Sequence, residues 1–332
     1  MLKLGIIGTS WITEQFIAAA VATKKYQLHS VFSRKLENAV QFAEKFSGKQ
    51  QCFDSLSDFL NDEKLDIVYI ASPNSLHFEQ AKQALISGKH VLVEKPAFST
   101  PKEMAEIIKL AEVEQLLYFE AARNLHEKSF EQIRTFIQEK EILGANFTYA
   151  KYSSKMPSLL AGDLPNIFNP KFSSGALADL GVYLLYAALG WFGMPQTSKY
   201  FPTMLETGVD GSGIGILGYA DFNVTITTGK TLNSFLKSEI YFTDGTLVLD
   251  GVNAISEAEF IDLKGNVTQL NIKVENNPMI EEAAHFAEVI KKQTADNLER
   301  ALEWQELSRN VNQVLFDMRK SAGIVFAADE KE

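Results

Sequence analysis

The chain has 332 residues, 46% hydrophobic and 22% charged, a length that suits about two domains with full cores. Its 32 basic against 42 acidic residues give a net charge of -10, which disfavours nucleic acid and anionic membrane as partners. The single cysteine, Cys52, excludes a disulfide framework, a paired-thiol redox motif and a thiolate zinc cluster.

In chain order, Leu4 to Gly8 reads as a buried strand, Ile12 to Ala22 as a helix, Leu28 to Ser33 as a second strand and Leu36 to Phe46 as an amphipathic helix. A short helix at Leu56 to Leu60 precedes a strand at Ile67 to Ala71. Then come helix Phe78 to Ile86, strand His90 to Val93, helix Pro101 to Val113 and strand Leu116 to Phe119. Strands alternating with such helices predict right-handed crossovers and a parallel sheet, which binds ligands at the carboxyl ends of its strands. After about Phe147 the pattern changes. Tyr219 to Thr227 alternates polar and apolar residues, as an antiparallel strand with one solvated face does. Asp244-Gly245 and Lys264-Gly265-Asn266 mark two hairpins, the first between 240–242 and 247–249, the second between Glu259 to Leu263 and Val267 to Val274. Asn277 and Pro278 open a helix carrying Ile280, Ala283, Ala284, Ala287 and Ile290, and a second helix runs from about Asn297 to Lys320. The expected fold is a parallel α/β domain over 1–121 and an α+β domain on a mainly antiparallel sheet over 122–332, with the C-terminal helix packed back on the first. No leader precedes the first strand, and the longest nearly apolar stretch, Leu184 to Met194, is about half a bilayer span, so a cytoplasmic location is expected.

One literal G-x-G-x-x-G exists, Gly213, Gly215 and Gly218, but it leads into a strand, whereas a dinucleotide fingerprint follows a strand and opens a helix. The better placed candidate is Gly8-Thr9-Ser10-Trp11-Ile12, which keeps only the first glycine. Gly8 suits a tight turn, and the amides at the helix start suit a pyrophosphate; an ordinary strand-to-helix turn has the same residues. Ser33, Arg34 and Lys35 stand at the end of the second strand. An acidic residue there would bind a ribose diol and favour NAD, whereas a basic pair and a hydroxyl favour the 2′-phosphate of NADP.

The stretch Ala71-Ser72-Pro73-Asn74-Ser75-Leu76-His77, followed by Gly88-Lys89-His90-Val91-Leu92-Val93-Glu94-Lys95-Pro96, resembles the glucose-fructose oxidoreductase, inositol dehydrogenase and MocA (Gfo/Idh/MocA) family. The resemblance continues through Glu120-Ala121 and 175–183 to Ser321-Ala322-Gly323-Ile324. It implies a Rossmann domain and a second domain with a large open sheet. It also implies an enzyme exchanging a hydride between NADP or NAD and a hydroxyl-bearing carbon of a sugar, polyol or dihydrodiol. Ser72, Pro73, Asn74, His77, Glu94 and Lys95 are then expected near the cofactor. Relatives usually carry histidine where this chain has Tyr183, a feature similar to the dimeric dihydrodiol dehydrogenase and NADP-linked D-xylose dehydrogenase branch.

Lys95 precedes proline, so its backbone is extended and its ammonium can be aimed from a strand end. In relatives this Lys-Pro bond is often cis. Asp179 and Tyr183 are four apart and share a helix face. A phenol of pKa about 10 is a weak base at neutral pH, but a neighbouring ammonium favours the phenolate. Tyr183 is therefore expected to take the hydroxyl proton, Lys95 to supply the charge, and Asp179 to orient Lys95 or a substrate hydroxyl. Tyr183 also reads as a core aromatic, since Val182, Leu184, Leu185 and Tyr186 surround it with apolar residues. Arg123, Asn124 and His126 replace the aromatic-Arg-x-x-Pro run of relatives and are candidate substrate residues. The five histidines show no metal-ligand spacing, so no metal is expected. A fold-preserving NAD(P) sensor with little turnover is the second reading, suggested by Ser10 in the glycine motif. A homodimer or homotetramer through the second-domain sheet is expected, because a monomer would leave apolar area exposed there.

Overall fold

The computed structural model describes residues 1–331. It divides into two compact units, Met1–Arg123 with Asn277–Glu306, and Asn124–Asn276 with the chain from Leu307 onward. The first unit thus runs to Arg123 rather than 121, and 277–306 belong with it rather than with the expected second domain.

Six strands form the first sheet: β1 (Leu2–Ile7), β2 (Tyr26–Phe32), β3 (Gln51–Phe53), β4 (Ile67–Ile70), β5 (His90–Glu94) and β6 (Tyr118–Ala121). Between them lie α1 (Trp11–Ala22), α2 (Leu36–Ala43), α3 (Leu56–Leu60), α4 (His77–Ile86) and α5 (Pro101–Val113). The order is β3-β2-β1-β4-β5-β6 and every pairing is parallel. The strand order reverses between β1 and β4, and it is beyond the carboxyl ends at such a switch point that parallel sheets bind ligands. Successive residues of one strand feed opposite cores: Tyr69 and Leu92 pack with Phe16, Phe119 and Phe286, whereas Val68, Ile70, Val91 and Val93 pack with Leu85, Met104 and Ile107. Both faces are therefore covered, which explains the near-continuous apolar strands. Each such side chain contributes about 1.5–3 kcal/mol by leaving water. Ser55 and Thr100 accept from the Asp58 and Glu103 amides and so cap α3 and α5.

The second unit begins with α6 (Arg123–His126), whose first residue belongs to the first unit, and continues through α7 (Lys128–Ile137), α8 (Met156–Leu160) and α9 (Val182–Phe192). Its strands are β7 (Ile142–Ala150), β8 (Thr197–Met204), β9 (Asp210–Gly218), β10 (Asn223–Gly229), β11 (Ser238–Phe242), β12 (Gly245–Leu249), β13 (Ala258–Asp262) and β14 (Val267–Leu270). They lie in the order β14-β13-β12-β11-β7-β10-β9-β8, antiparallel except for β10 against β7. Both expected hairpins are present, β11–β12 and β13–β14.

Two sequence expectations shift here. Tyr219 to Phe222 is the β9–β10 turn rather than strand: the Tyr219 amide donates to the Phe222 carbonyl at 2.9 Å and the two rings stack at 4.7 Å. The run Pro170–Phe192 is longer than the apolar stretch expected at 184–194. It has a mean hydropathy of 1.4 over its best window, with the length and composition of a membrane-crossing helix, but 78% of that window is buried inside the protein. Gly190 belongs to that burial, since a Cβ there would stand 2.6 Å from the Phe130 ring.

Two helices close the chain, α10 (Ile280–Lys291) in the first unit and α11 (Ala295–Ser321), whose residues up to Glu306 belong to the first unit and the rest to the second. The α10 helix begins three residues later than the expected cap at Asn277, which instead accepts from the Met279 amide at 3.0 Å and donates to the Gln15 carbonyl at 3.0 Å.

Candidate active site

In the first unit the site is built where β1, β4 and β5 end. Gly8 takes φ +104°, a conformation that favours glycine, and a Cβ there would stand 2.5 Å from the Ala71 carbonyl oxygen. This glycine lets the β1 and β4 ends lie against each other. Thr9 and Gly8 are half-buried, Ser10 and Trp11 exposed, Ile12 half-buried, and the Ser10 side chain makes no capping bond to α1. The first-turn amides of α1 are thus left uncapped by Ser10, and an anion placed there meets donors and the positive end of the helix. Beyond β2, Ser33 is half-buried while Arg34 and Lys35 are exposed. A glycine cradle, an open helix start and two exposed cations fit a phosphorylated dinucleotide.

The literal G-x-G-x-x-G lies within β9, where its glycines make room for packing. A Cβ on Gly213 would stand 2.4 Å from the Tyr200 ring, and one on Gly215 would stand 2.4 Å from the Met318 methyl.

Ser72, Pro73 and Asn74 are half-buried beyond β4, with the Ser72 hydroxyl donating to Gln80 Oε1 at 2.6 Å. His77 is fully buried. Its Nε2 lies 2.8 Å from the Ser72 carbonyl and its Nδ1 3.1 Å from the Ala97 carbonyl. Burial first, and the Lys95 charge as well, pull this imidazole down to about 4, against the pull of the backbone carbonyls. A neutral imidazole has one proton for the two carbonyls, so His77 joins the β4 and β5 loops and its ring is not open to a ligand. It therefore holds together the loops expected to meet the cofactor.

The Lys95–Pro96 bond is cis. The loop after it is tied down: Ala97 N–H donates to Glu120 Oε1 at 3.1 Å and Ser99 N–H to Glu103 Oε2 at 2.8 Å. Lys95 itself is half-buried. Glu94 is buried and accepts from the Tyr69 hydroxyl, while Tyr69 stacks on Phe16 of α1 at 3.9 Å. Burial pushes the Glu94 carboxyl up, opposed by Lys95, Tyr69 and Arg123. Arg123 is half-buried, and its charge is among those acting on Glu94.

In the second unit Asp179 sits on a π-helical turn, Leu177–Gly181, that runs into α9 and Tyr183. Such wide turns often occur at functional sites. The turn is pinned at its start: buried Asp210 accepts from the Leu177 amide at 2.7 Å and from the Tyr200 hydroxyl at 2.7 Å. Thr228 at the end of β10 donates to the Ala176 carbonyl at 3.3 Å. Asp179 accepts from the ammonium of Lys230, one residue past β10. Tyr183 is 8% exposed, and its ring meets Tyr149 edge-on at 5.9 Å. Asn124, expected at the substrate, is buried; its amide nitrogen donates to the Tyr183 carbonyl at 3.3 Å and the Val252 carbonyl at 3.1 Å. It braces the backbone that carries Tyr183. His126 is also buried. Among the described residues no cluster of three or more His, Cys, Asp or Glu is placed to hold a metal.

Sequence reasoning missed Lys230, Asp210 and Thr228, which lie far along the chain from the turn they hold. A lysine directly after an alternating strand was the one available signal, and nothing in it named a partner.

An all-parallel sheet with its switch point beside Gly8 and an uncapped helix start beyond it are the features of a dinucleotide-binding domain. The family model described as "Oxidoreductase family, NAD-binding Rossmann fold" matches residues 2–121. Two relatives align end to end. The uncharacterized oxidoreductase YgjR of Escherichia coli K12 is 35% identical over 330 residues, 99% of either chain. The scyllo-inositol 2-dehydrogenase (NADP(+)) IolU of Bacillus subtilis 168 is 34% identical over 331 residues, 99% of this chain and 100% of that protein. The chain belongs to the Gfo/Idh/MocA family of oxidoreductases. Among solved structures, the 3-ketoreductase KijD10 of Actinomadura kijaniata in complex with NADP and TDP-benzene superposes with a TM-score of 0.83 over 96% of this chain and 97% of that one; at 21% identity this is a likeness of fold.

Proposed function

We propose that this enzyme is an NADP-dependent dehydrogenase acting on a secondary hydroxyl, or the anomeric hydroxyl, of a polyol, sugar or dihydrodiol. The observation that carries the reading is the end-to-end likeness to the NADP-linked inositol dehydrogenase of Bacillus subtilis. The relatives of partial coverage include a trans-1,2-dihydrobenzene-1,2-diol dehydrogenase of Xenopus laevis and an NADP-linked D-xylose 1-dehydrogenase of Haloferax volcanii. Exposed Arg34 and Lys35 support NADP over NAD, because a guanidinium makes strong charge-assisted bonds to a phosphate.

When bound, the nicotinamide supplies the hydride acceptor for oxidation and the donor for reduction. Tyr183 takes the hydroxyl proton as the carbon gives up its hydride and becomes a carbonyl, and returns that proton in the reverse direction. Lys95 supplies the positive charge that favours the phenolate and steadies the developing alkoxide. Gly8 to Ile12 bind the pyrophosphate, Ser33 to Lys35 the 2′-phosphate, and Ser72 to Asn74 with Glu94 border the nicotinamide end. Arg123 and His126 contribute to the substrate side.

The enzyme is proposed to work in the cytoplasm, in keeping with one cysteine in 332 residues and the burial of its long apolar run. It is proposed to assemble as a dimer or tetramer through the open face of the eight-stranded sheet, where Phe201, 62% exposed, pairs across strands with Ile214, 50% exposed. The test of the activity is a panel of cyclic polyols, aldopentoses and dihydrodiols with NADP, read by reduced-nicotinamide absorbance. Turnover of at least one class is expected; an inert protein that still binds NADP contradicts the reading.

A further inference from the structure

Asp179 and Lys230 are unequally buried: the lysine side chain is 8% exposed and the aspartate 27%. The ammonium is fixed from its backbone outward. The Lys230 amide donates to the Gly211 carbonyl at 2.7 Å, and its carbonyl accepts from the Ser153 amide at 2.8 Å. The neighbouring Thr228 hydroxyl holds the same turn through the Ala176 carbonyl. The β10 end therefore grips both the backbone and the carboxylate of the turn that carries Asp179. A buried cation is costly without a partner, so this lysine holds its carboxylate in one place.

We propose that Lys230 is a positioning residue that fixes the Asp179 carboxylate to accept a hydrogen bond from the substrate hydroxyl next to the one being oxidised, so that the enzyme selects vicinal polyols over isolated alcohols. The inference rests on the reading above, in which Tyr183, one helical turn from Asp179, takes the proton of the reacting hydroxyl. Polyols, sugars and dihydrodiols share an oxygen on the adjacent carbon, and Asp179 on the same helix as Tyr183 is placed to read it. A neutral or displaced carboxyl would bind that second hydroxyl less well, because bonds to charged acceptors are the stronger kind.

The test compares scyllo-inositol with cyclohexanol, a ring of the same size bearing one hydroxyl, in wild type, Lys230→Met and Lys230→Arg, with NADPH binding followed by fluorescence. Lys230→Met is expected to lose about tenfold or more in kcat/KM on scyllo-inositol, chiefly through KM, with cyclohexanol activity within about twofold of wild type. Lys230→Arg restores most of the discrimination. If Lys230→Met does not fold, Lys230→Gln is expected to show the same selective loss. A loss shared equally by both substrates, or discrimination that survives in the Met and Gln variants, overturns the inference alone. A wild type that binds NADPH yet turns over neither substrate, nor any other vicinal polyol, overturns the underlying reading and the inference with it.

Discussion

Arg34 stands exposed just past β2, where a 2′-phosphate would meet its charge and a bare ribose diol would not. Replacing it with alanine removes a charged hydrogen bond of about 1.5–3 kcal/mol, so NADP affinity should fall roughly tenfold or more while NAD affinity changes little. Fluorescence titration with the two reduced cofactors measures this, and an equal effect on both contradicts the NADP assignment. At this scale the residues that carry charge or a special backbone were legible: Gly8, Lys95, Asp179 and Tyr183 stand out as motif positions. Their supports were not. Asn124 follows a family motif and reads as a substrate ligand, and its amide nitrogen also donates to the Tyr183 and Val252 carbonyls, a brace that the sequence does not show. Lys230 is separated by 51 positions from the aspartate it holds, and only the return of β10 beside the π turn brings the two together.

The β1–α1 connection depends on one backbone angle. Gly8→Ala combines the strain of φ +104° with a contact 2.5 Å from the Ala71 carbonyl, so the β1 and β4 ends must separate and the phosphate cradle is lost. The expected outcome is loss of measurable NADP binding with a lowered melting temperature; a variant that binds NADP as wild type does contradicts the placement of the cofactor. Regular crossovers made most of the first unit readable, with strand ends displaced by a few residues. The strand β3 was missed because three residues, one exposed and two half-buried, carry no detectable period. In the second unit β8 contains Pro202, which an edge strand tolerates, and β9 alternates glycine with isoleucine at 213–216, which reads as loop until Tyr200 and Met318 fill the gaps. The long apolar run was underestimated because its early turns are π and 3-10 rather than regular α-helix.

For the molecule as a whole, falling pH acts on His77 and Asp329 in one direction and on the raised carboxyls of Glu94 and Asp210 in the other. His77 falls from 6.5 to about 4 on folding, so the unfolded chain binds the extra proton between those values and stability declines as pH drops through that window. Asp329 is pulled upward by burial, but its bonds to Arg319, at 2.5 and 2.8 Å, outweigh this and leave its carboxyl below the ordinary value. Its stabilisation is present above the unfolded-state value, about 3.9, and is lost below it. The loss of melting temperature below pH 4 should therefore be shallower in Asp329→Asn than in wild type; an equal loss in both contradicts the Asp329 assignment. Asp329→Asn, which breaks a pair whose side chains are 3% and 4% exposed, should cost about 3–5 kcal/mol. Light scattering tests the assembly: wild type is expected at twice or four times the chain mass and Phe201→Glu at a smaller multiple, whereas a wild-type mass of one chain contradicts the sheet interface.

The proposed chemistry turns on the phenol of Tyr183, and the most direct measurement is kcat for Tyr183→Phe on the substrate wild type oxidises fastest, alongside NADPH binding. Loss of a positioned acid–base predicts a fall of roughly a hundredfold to ten-thousandfold with cofactor affinity unchanged. Turnover equal to wild type would contradict the account.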